Sequence, residues 1–275
     1  MRSALQLLAA TAAFAVLITS GNLFANDQKL SGSMFIANTW KNSVVKRESL
    51  ALKEMIKGNI PDYIFNMKPV TIGDGKNKIT FYVTPDYLSI GNNSDHILIP
   101  LNFISAAKVA KHYNAVLPTA KMVDAIYKTA TVKLEPATMK PGKAMAKNGY
   151  IKKHDQAIKA NLPKDYQDKL IAGHKKDTVI STKLIGARNR IAIYGWHRSD
   201  EAPIQPLSIW HWASYADYSH GIRLVDRNVV VNGEFWDIAD VLSSKELAAI
   251  LSYEGTLDID SLMSPKMDDT LAGAQ

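Results

Sequence analysis

The chain has 275 residues and not one cysteine. That absence narrows both the fold and the chemistry more than any other feature. No disulfide can tie its loops together, so stability has to come from buried apolar surface. Thiolate nucleophiles, thiol redox chemistry, Cys-ligated zinc and a lipid on a mature N-terminal cysteine are all excluded.

The first residues read as an export leader. Arg2 gives a positive start, and Leu7 to Ile18 is an apolar run of about 12 residues broken only by Thr11, shorter than the roughly 20 a spanning helix needs. Thr19, Ser20, Gly21 and Asn22 end the run, and Ala25 supplies the small residue a signal peptidase requires, with the larger Leu23 two places before it. The expectation is a signal peptide over residues 1–25 and a mature chain that is periplasmic or secreted, with no transmembrane span. Removing it leaves about 250 residues, enough for one large domain or two small ones.

The formal charge of +7 falls to +6 with the leader, whose only charged residue is Arg2. Lysines crowd the middle of the chain at Lys140, Lys143, Lys147, Lys152, Lys153, Lys159, Lys164, Lys169, Lys175 and Lys176. This is either a solvated basic surface or a surface for an anionic partner such as a cell-wall polymer or lipid headgroup. Nucleic acid is not expected, because no aromatic-interleaved basic motif accompanies the charge.

Periodicity predicts an α+β fold: N-terminal helices with a small antiparallel sheet over 26–135, a lysine-rich connector over 136–172, a β-rich portion over 173–260 and a loose tail over 261–275. Val44 to Lys57 has helical spacing with Gly58 as a stop, and Ile104 to His112 and Thr119 to Ala130 read as further helices, Thr119 as an N-cap. Pro61 to Ile72 and Lys78 to Ile90 look extended, with a bend at Thr84-Pro85-Asp86. Thr178 to Ser181, Arg190 to Tyr194, Gly221 to Val225 and Val229 to Val231 follow as strands. Asn232-Gly233 signals a hairpin to Phe235–Ile238, and Ser243 is expected to cap a last helix through Leu251.

The chemistry concentrates late. Four of seven histidines, His174, His197, His211 and His220, fall within 47 residues, together with Asp177, Asp200, Asp217, Arg198 and Arg223. Tyr194, Trp196, Trp210, Trp212, Tyr215 and Tyr218 share the window, the density a ligand pocket uses; an aromatic core would look the same. His197, His211, Asp217 and His220 are candidate zinc ligands, although no H-E-x-x-H helix is present and the expected cofactor is none, with zinc as the alternative. His197 and His211 are also candidates for acid–base work beside Asp217, with Ser219 as a hydroxyl that cannot pair with the adjacent His220 in an extended segment.

The stretch Ser219-His220-Gly221-Ile222-Arg223-Leu224 resembles the [S/T]-H-G-C-x-R signature of cell-wall L,D-transpeptidases, and Tyr194-Gly195-Trp196-His197 lies where that family carries an upstream histidine. The nucleophilic cysteine is missing, deleted after Gly221 or replaced by Ile222, so the family's thioester route is closed to this chain. The resemblance implies a β-rich setting, His220 as a base, Arg223 as a carboxylate or oxyanion partner, and peptidoglycan as substrate class. Lys175, Lys176, Asp177, Tyr194 and Tyr218 are the expected substrate contacts, with Asp177 paired to Arg198 or Arg223 and Arg223 to Asp217 or Asp226. Three functions follow as expectations: a peptidoglycan-acting hydrolase or transferase, a non-catalytic binder of an envelope glycan or anionic polymer, or, with zinc bound, a zinc-dependent peptidase.

Overall fold

The computed structural model describes residues 29–199 and 202–265, so the expected signal peptide lies outside the described residues. The fold is α+β. In chain order its elements are α1 (Gly32–Thr39), α2 (Val44–Ile56), β1 (Lys68–Gly73), β2 (Lys78–Val83), β3 (Ser89–Gly91), β4 (His96–Leu98), α3 (Phe103–His112), β5 (Ala115–Val116), α4 (Ala120–Thr129), β6 (Val132–Lys133), α5 (Asn148–Lys159) and β7 (Ile171–Ala172). They continue as β8 (Lys176–Val179), β9 (Ala192–His197), β10 (Pro203–Ser208), β11 (His220–Gly221), β12 (Val225–Asp226), β13 (Asn228–Val231), β14 (Glu234–Asp237), α6 (Ile238–Ser243), α7 (Ala248–Leu251) and α8 (Ile259–Leu262). None of the described helices is long and apolar enough to cross a membrane.

Local chemistry sets the helix starts. The Thr119 hydroxyl accepts from Met122 N (3.1 Å) at the head of α4, and Ser43 and Asn102 cap α2 and α3 in the same way. Helix α4 then buries Met122, Val123, Ile126 and Tyr127 along one face. Strand β2 alternates as a half-buried strand should, with Ile79, Phe81 and Val83 in the core and Lys78 exposed.

Strand β2 also joins the two ends of the chain. It pairs with β1 on one side and with β12 and β13 on the other, in a sheet ordered β14-β13-β2-β12-β5. Residues from 26–135 and from 173–260 therefore share one sheet and one apolar core. The β13–β14 hairpin turns at Asn232 and Gly233, whose φ angles of 51° and 97° fit the left-handed turn this dipeptide favours. A second sheet, β10-β9-β8-β11, carries the histidine-rich window; β8 and β11 run parallel, with His220 opposite Lys176 and Gly221 opposite Asp177.

Four expectations change. Residues Asp62–Phe65 form a 3-10 turn instead of a strand, because Tyr63 and Ile64 are both buried and consecutive strand residues would face opposite ways. The polar stretch ahead of α2, in which no helix was expected, holds α1, capped by Ser31 and anchored through Phe35 and Ile36. Ser243 ends α6, whose N-cap is Asp237, and does not cap a helix through Leu251; the Ser244 hydroxyl, accepting from Leu247 N, restarts the chain into α7. Past Ile259 the chain forms α8 with Ile259 and Leu262 buried, so it is packed as far as that helix.

Candidate functional site

Strand β8 and the residue before it organise the site. Alternation puts Lys175 and Asp177 on one side of the sheet and Lys176 on the other. Lys176 extends over the Trp196 ring at 4.8 Å and belongs with His211, Tyr215, Asp217 and His220. Asp217 is the anchor of this group. Its Oδ1 accepts from Ser219 N (2.8 Å) and Ser219 Oγ (2.7 Å), and its Oδ2 accepts from the Tyr215 hydroxyl (3.0 Å). Burial works to raise the Asp217 carboxyl, but the His220 imidazole and these hydrogen bonds outweigh it and hold it below the usual carboxylate range.

His220 lies beneath this anchor. It is 1% exposed, and neither ring nitrogen has a hydrogen-bond partner. Burial lowers its pKa to about 4, with Lys176, His211 and Lys175 acting in the same sense and Asp217 against it. The ring is thus neutral at pH 7, holding one free lone pair and one unspent N–H. His211 stacks on Tyr215 with centroids 4.3 Å apart, and the two rings lie 6.1 and 5.8 Å from that of His220. Both are half-buried, so they form the solvent-facing roof of the group. Burial lowers the pKa of His211 as well, and raises that of Tyr215 together with the Asp217 charge.

On the far side of β8 the polar groups are sealed in. Arg223 is fully buried, donating from Nη1 to Thr84 O and from Nη2 to Ile171 O, both at 2.7 Å, and its guanidinium covers the Tyr87 ring at 4.2 Å. Its acidic neighbour is Asp177, at 3.7 Å from Nε, and neither Asp217 nor Asp226. That distance makes an ion pair without a hydrogen bond. The Tyr87 hydroxyl donates to Asp177 Oδ2 at 2.7 Å. Burial pushes the Asp177 carboxyl up, with Arg223 and Tyr87 opposing, and pushes Tyr87 well above its ordinary range beside the Asp177 charge.

Beside this pair, His174 Nε2 sits 3.1 Å from Asp86 Oδ1, off the line of a hydrogen bond. Burial works to raise Asp86, but His174 and Arg223 outweigh it and hold it low. Lys175 is buried too, donating to Tyr218 O at 2.6 Å, and burial pushes its pKa down to about 8. Gly221 is needed where this side meets β11, since a Cβ there would stand 2.5 Å from Tyr87 Cδ1.

A third group lies at the edge of β9. His197 Nε2 is 2.9 Å from Asp124 Oδ1, and Asp124 also accepts from the hydroxyls of Tyr194 (2.9 Å) and Tyr253 (2.8 Å). The His197 ring stacks on Tyr127 at 4.5 Å. Burial works to raise Asp124, but His197 and the two tyrosines hold it below its usual value.

The window read from the sequence thus divides into three. The structure gathers Lys176, His211, Asp217, Ser219 and His220, and leaves His197 and Tyr194 on Asp124. Arg223, Asp177 and Lys175 belong to the buried side. Ser219 spends its hydroxyl on Asp217, and the Tyr218 hydroxyl accepts from Met139 N at 2.8 Å, so both are held by the protein itself. Of the four zinc candidates, His211, Asp217 and His220 share a group and His197 does not; among the described residues no three His, Cys, Asp or Glu side chains are arranged to hold a metal ion.

Sequence reading missed Asp86, Tyr87, Asp124 and His154. Asp86 and Tyr87 sit in a stretch that reads as a surface bend, and Asp124 looks like the polar face of α4. His154, fully buried with both nitrogens unpartnered and its pKa lowered by burial, came from the connector. A buried acid inside a turn of β-rich sequence is the one signal that could have found the first pair. No family model matches this chain, and no curated protein or solved structure matches it either.

Proposed function

We propose that the chain is an envelope hydrolase or transferase that uses His220 as a general base, with peptidoglycan as its substrate class. The observation that carries this reading is the neutral, unpartnered imidazole of His220 beside the half-buried His211–Tyr215 pair. Such a ring takes a proton from water or an acceptor group as the bond to substrate forms, and returns it to the leaving group. A placed base of this kind contributes roughly 10²–10⁴-fold in rate. Asp217, held ionised, favours the imidazolium that results, and Lys176 faces the negative charge that develops. Water or an incoming substrate group is the nucleophile in this reading, because Ser219 is committed and the buried Ile222 stands where the resembling family has its cysteine. Peptidoglycan is supported by the N-terminal run that reads as an export leader, the lysine-rich middle of the sequence and the Ser219–Leu224 stretch.

A second reading, a non-catalytic binder of an envelope glycan or anionic polymer, is favoured by the closure of the roof, which leaves His220 1% exposed. One experiment separates the two. Purified protein is incubated with peptidoglycan and soluble fragments are followed by chromatography, alongside His220→Ala and His220→Gln. Release by the parent, reduced at least about 100-fold in both variants, is the expected result. Equal release by all three removes His220 from the mechanism. No release, with co-sedimentation on peptidoglycan that survives both changes, establishes the binder.

A further inference from the structure

A concave surface of about 610 Å³, lined by Ala187, Arg190, Ser208, Ile209, Trp210 and Trp212, lies outside the group around His220. Its volume is that of a small-ligand site. Trp210 is 81% exposed and Trp212 43%, a large apolar area to leave in water on a cysteine-free protein. The backbone that carries the two indoles is fixed by hydrogen bonds. Ile191 N donates to His211 O (3.1 Å) and Ala213 N to Asn189 O (2.7 Å), so the segment carrying both tryptophans is clipped antiparallel to residues 189–191. Trp210 is fixed twice more, its N–H donating to Ser208 Oγ at 3.3 Å and its carbonyl accepting from Arg190 Nη1 at 2.8 Å.

The cation completes the site. The Arg190 guanidinium lies 3.7 Å from the Trp212 ring centroid, a stacked arrangement that fixes its plane. Only its bond to the Trp210 carbonyl engages it among the described residues, so its remaining N–H groups are available for a carboxylate. A flat indole exposed in a hollow presents a face for the C–H side of a sugar ring, and a planar fork beside it presents donors for an acid on that ring. A membrane would instead be met by a convex apolar wedge.

We propose that Arg190, Trp210 and Trp212 form a binding subsite for a carbohydrate chain carrying carboxylate groups, with Trp210 stacking on a sugar ring and Arg190 pairing with its acid. The site does not depend on turnover at His220, since His211 between the two tryptophans stacks on Tyr215 and takes no part in it.

The test uses the full chain with two soluble probes, an acidic hyaluronan hexasaccharide and an uncharged hexasaccharide, chitohexaose, measured by calorimetry and tryptophan fluorescence. The hyaluronan oligosaccharide is expected to bind, and chitohexaose about tenfold more weakly. Trp210→Ala should weaken hyaluronan binding about tenfold, equivalent to about 1.4 kcal/mol, with an unchanged circular dichroism spectrum. Arg190→Gln should bring the two sugars to similar affinity. No binding of either sugar, equal binding by Trp210→Ala and parent, or equal affinity of the parent for both sugars would overturn the assignment. So would Trp210-dependent binding confined to phosphatidylglycerol vesicles, which would make the surface a lipid contact. His220→Ala binding as the parent does is expected, and separates failure of this site from failure of the proposed chemistry.

Discussion

The two sides of β8 are built from the same residue types and end in opposite conditions. On one side Asp177, Arg223 and Tyr87 are sealed in and largely matched: the guanidinium spends two N–H groups on backbone carbonyls and covers a ring, and the phenol donates to the carboxylate. On the other, His220 is just as deeply buried but spends neither ring nitrogen, and the half-buried rings of His211 and Tyr215 lie 6.1 and 5.8 Å from its own. Burial by itself does not make a group reactive. What separates Arg223 and Tyr87 from His220 is how much of the buried group's hydrogen-bonding capacity has been used within the protein; His174, on the sealed side, also bonds through neither nitrogen but lies 3.1 Å from the Asp86 carboxylate. A matched pair rigidifies the fold, whereas an unmatched group close to the surface is free to react with what enters.

Three changes would sharpen or break this comparison. The largest effect belongs to the matched side. Arg223→Ala strands the Asp177 carboxylate and two backbone carbonyls in the core, and should cost about 3–5 kcal/mol of unfolding free energy, or abolish folding, in chemical denaturation. A loss below about 1 kcal/mol would mean that this side is not held by its ion pair. The unmatched side should respond to pH instead. His220 has a folded pKa of about 4 against 6.5 for the free ring. As pH falls from 6.5 to about 4, the unfolded chain takes up a proton that folded His220 refuses, so stability present above 6.5 is progressively lost. The full contribution is at most about 3 kcal/mol. His220→Gln should flatten the acid limb of a plot of denaturation midpoint against pH by that share, while an identical slope would place the pH dependence elsewhere, His154 being the first alternative. The smallest effect is expected at the anchor. Asp217→Asn keeps an acceptor for Ser219 and should cost about 1 kcal/mol of stability, while lowering any peptidoglycan turnover more than that loss explains. Unchanged turnover would detach Asp217 from His220.

Much of the scaffold was legible because its signals are local. The Thr119 cap, the extended run of β2 and the Asn232-Gly233 turn each act over a few residues, and each formed in the structure. The helix α1 was not legible, since eight residues with few apolar anchors look like a polar leader until Phe35 and Ile36 find the core. The late histidine window was recognised as a unit, yet it is three environments. His197 left it for Asp124, an acid 73 residues earlier whose place on α4 gives no hint of a partner. Arg223 was expected to find an acid, and the acid it found is 46 residues away in sequence and one strand away in space.

The sequence by itself determined that this protein has no thiol chemistry, that it mixes helices with short strands, and where most of those elements begin. It also determined which strand residues point the same way, because that alternation is a property of the backbone. Only the tertiary structure decided which imidazoles, those of His154, His174 and His220, would be buried without a hydrogen bond. Whether a buried nitrogen finds a partner depends on how separate strands and turns come together in space. The free energy of leaving it bare is small against the apolar burial that sets their packing, so no local pattern records it.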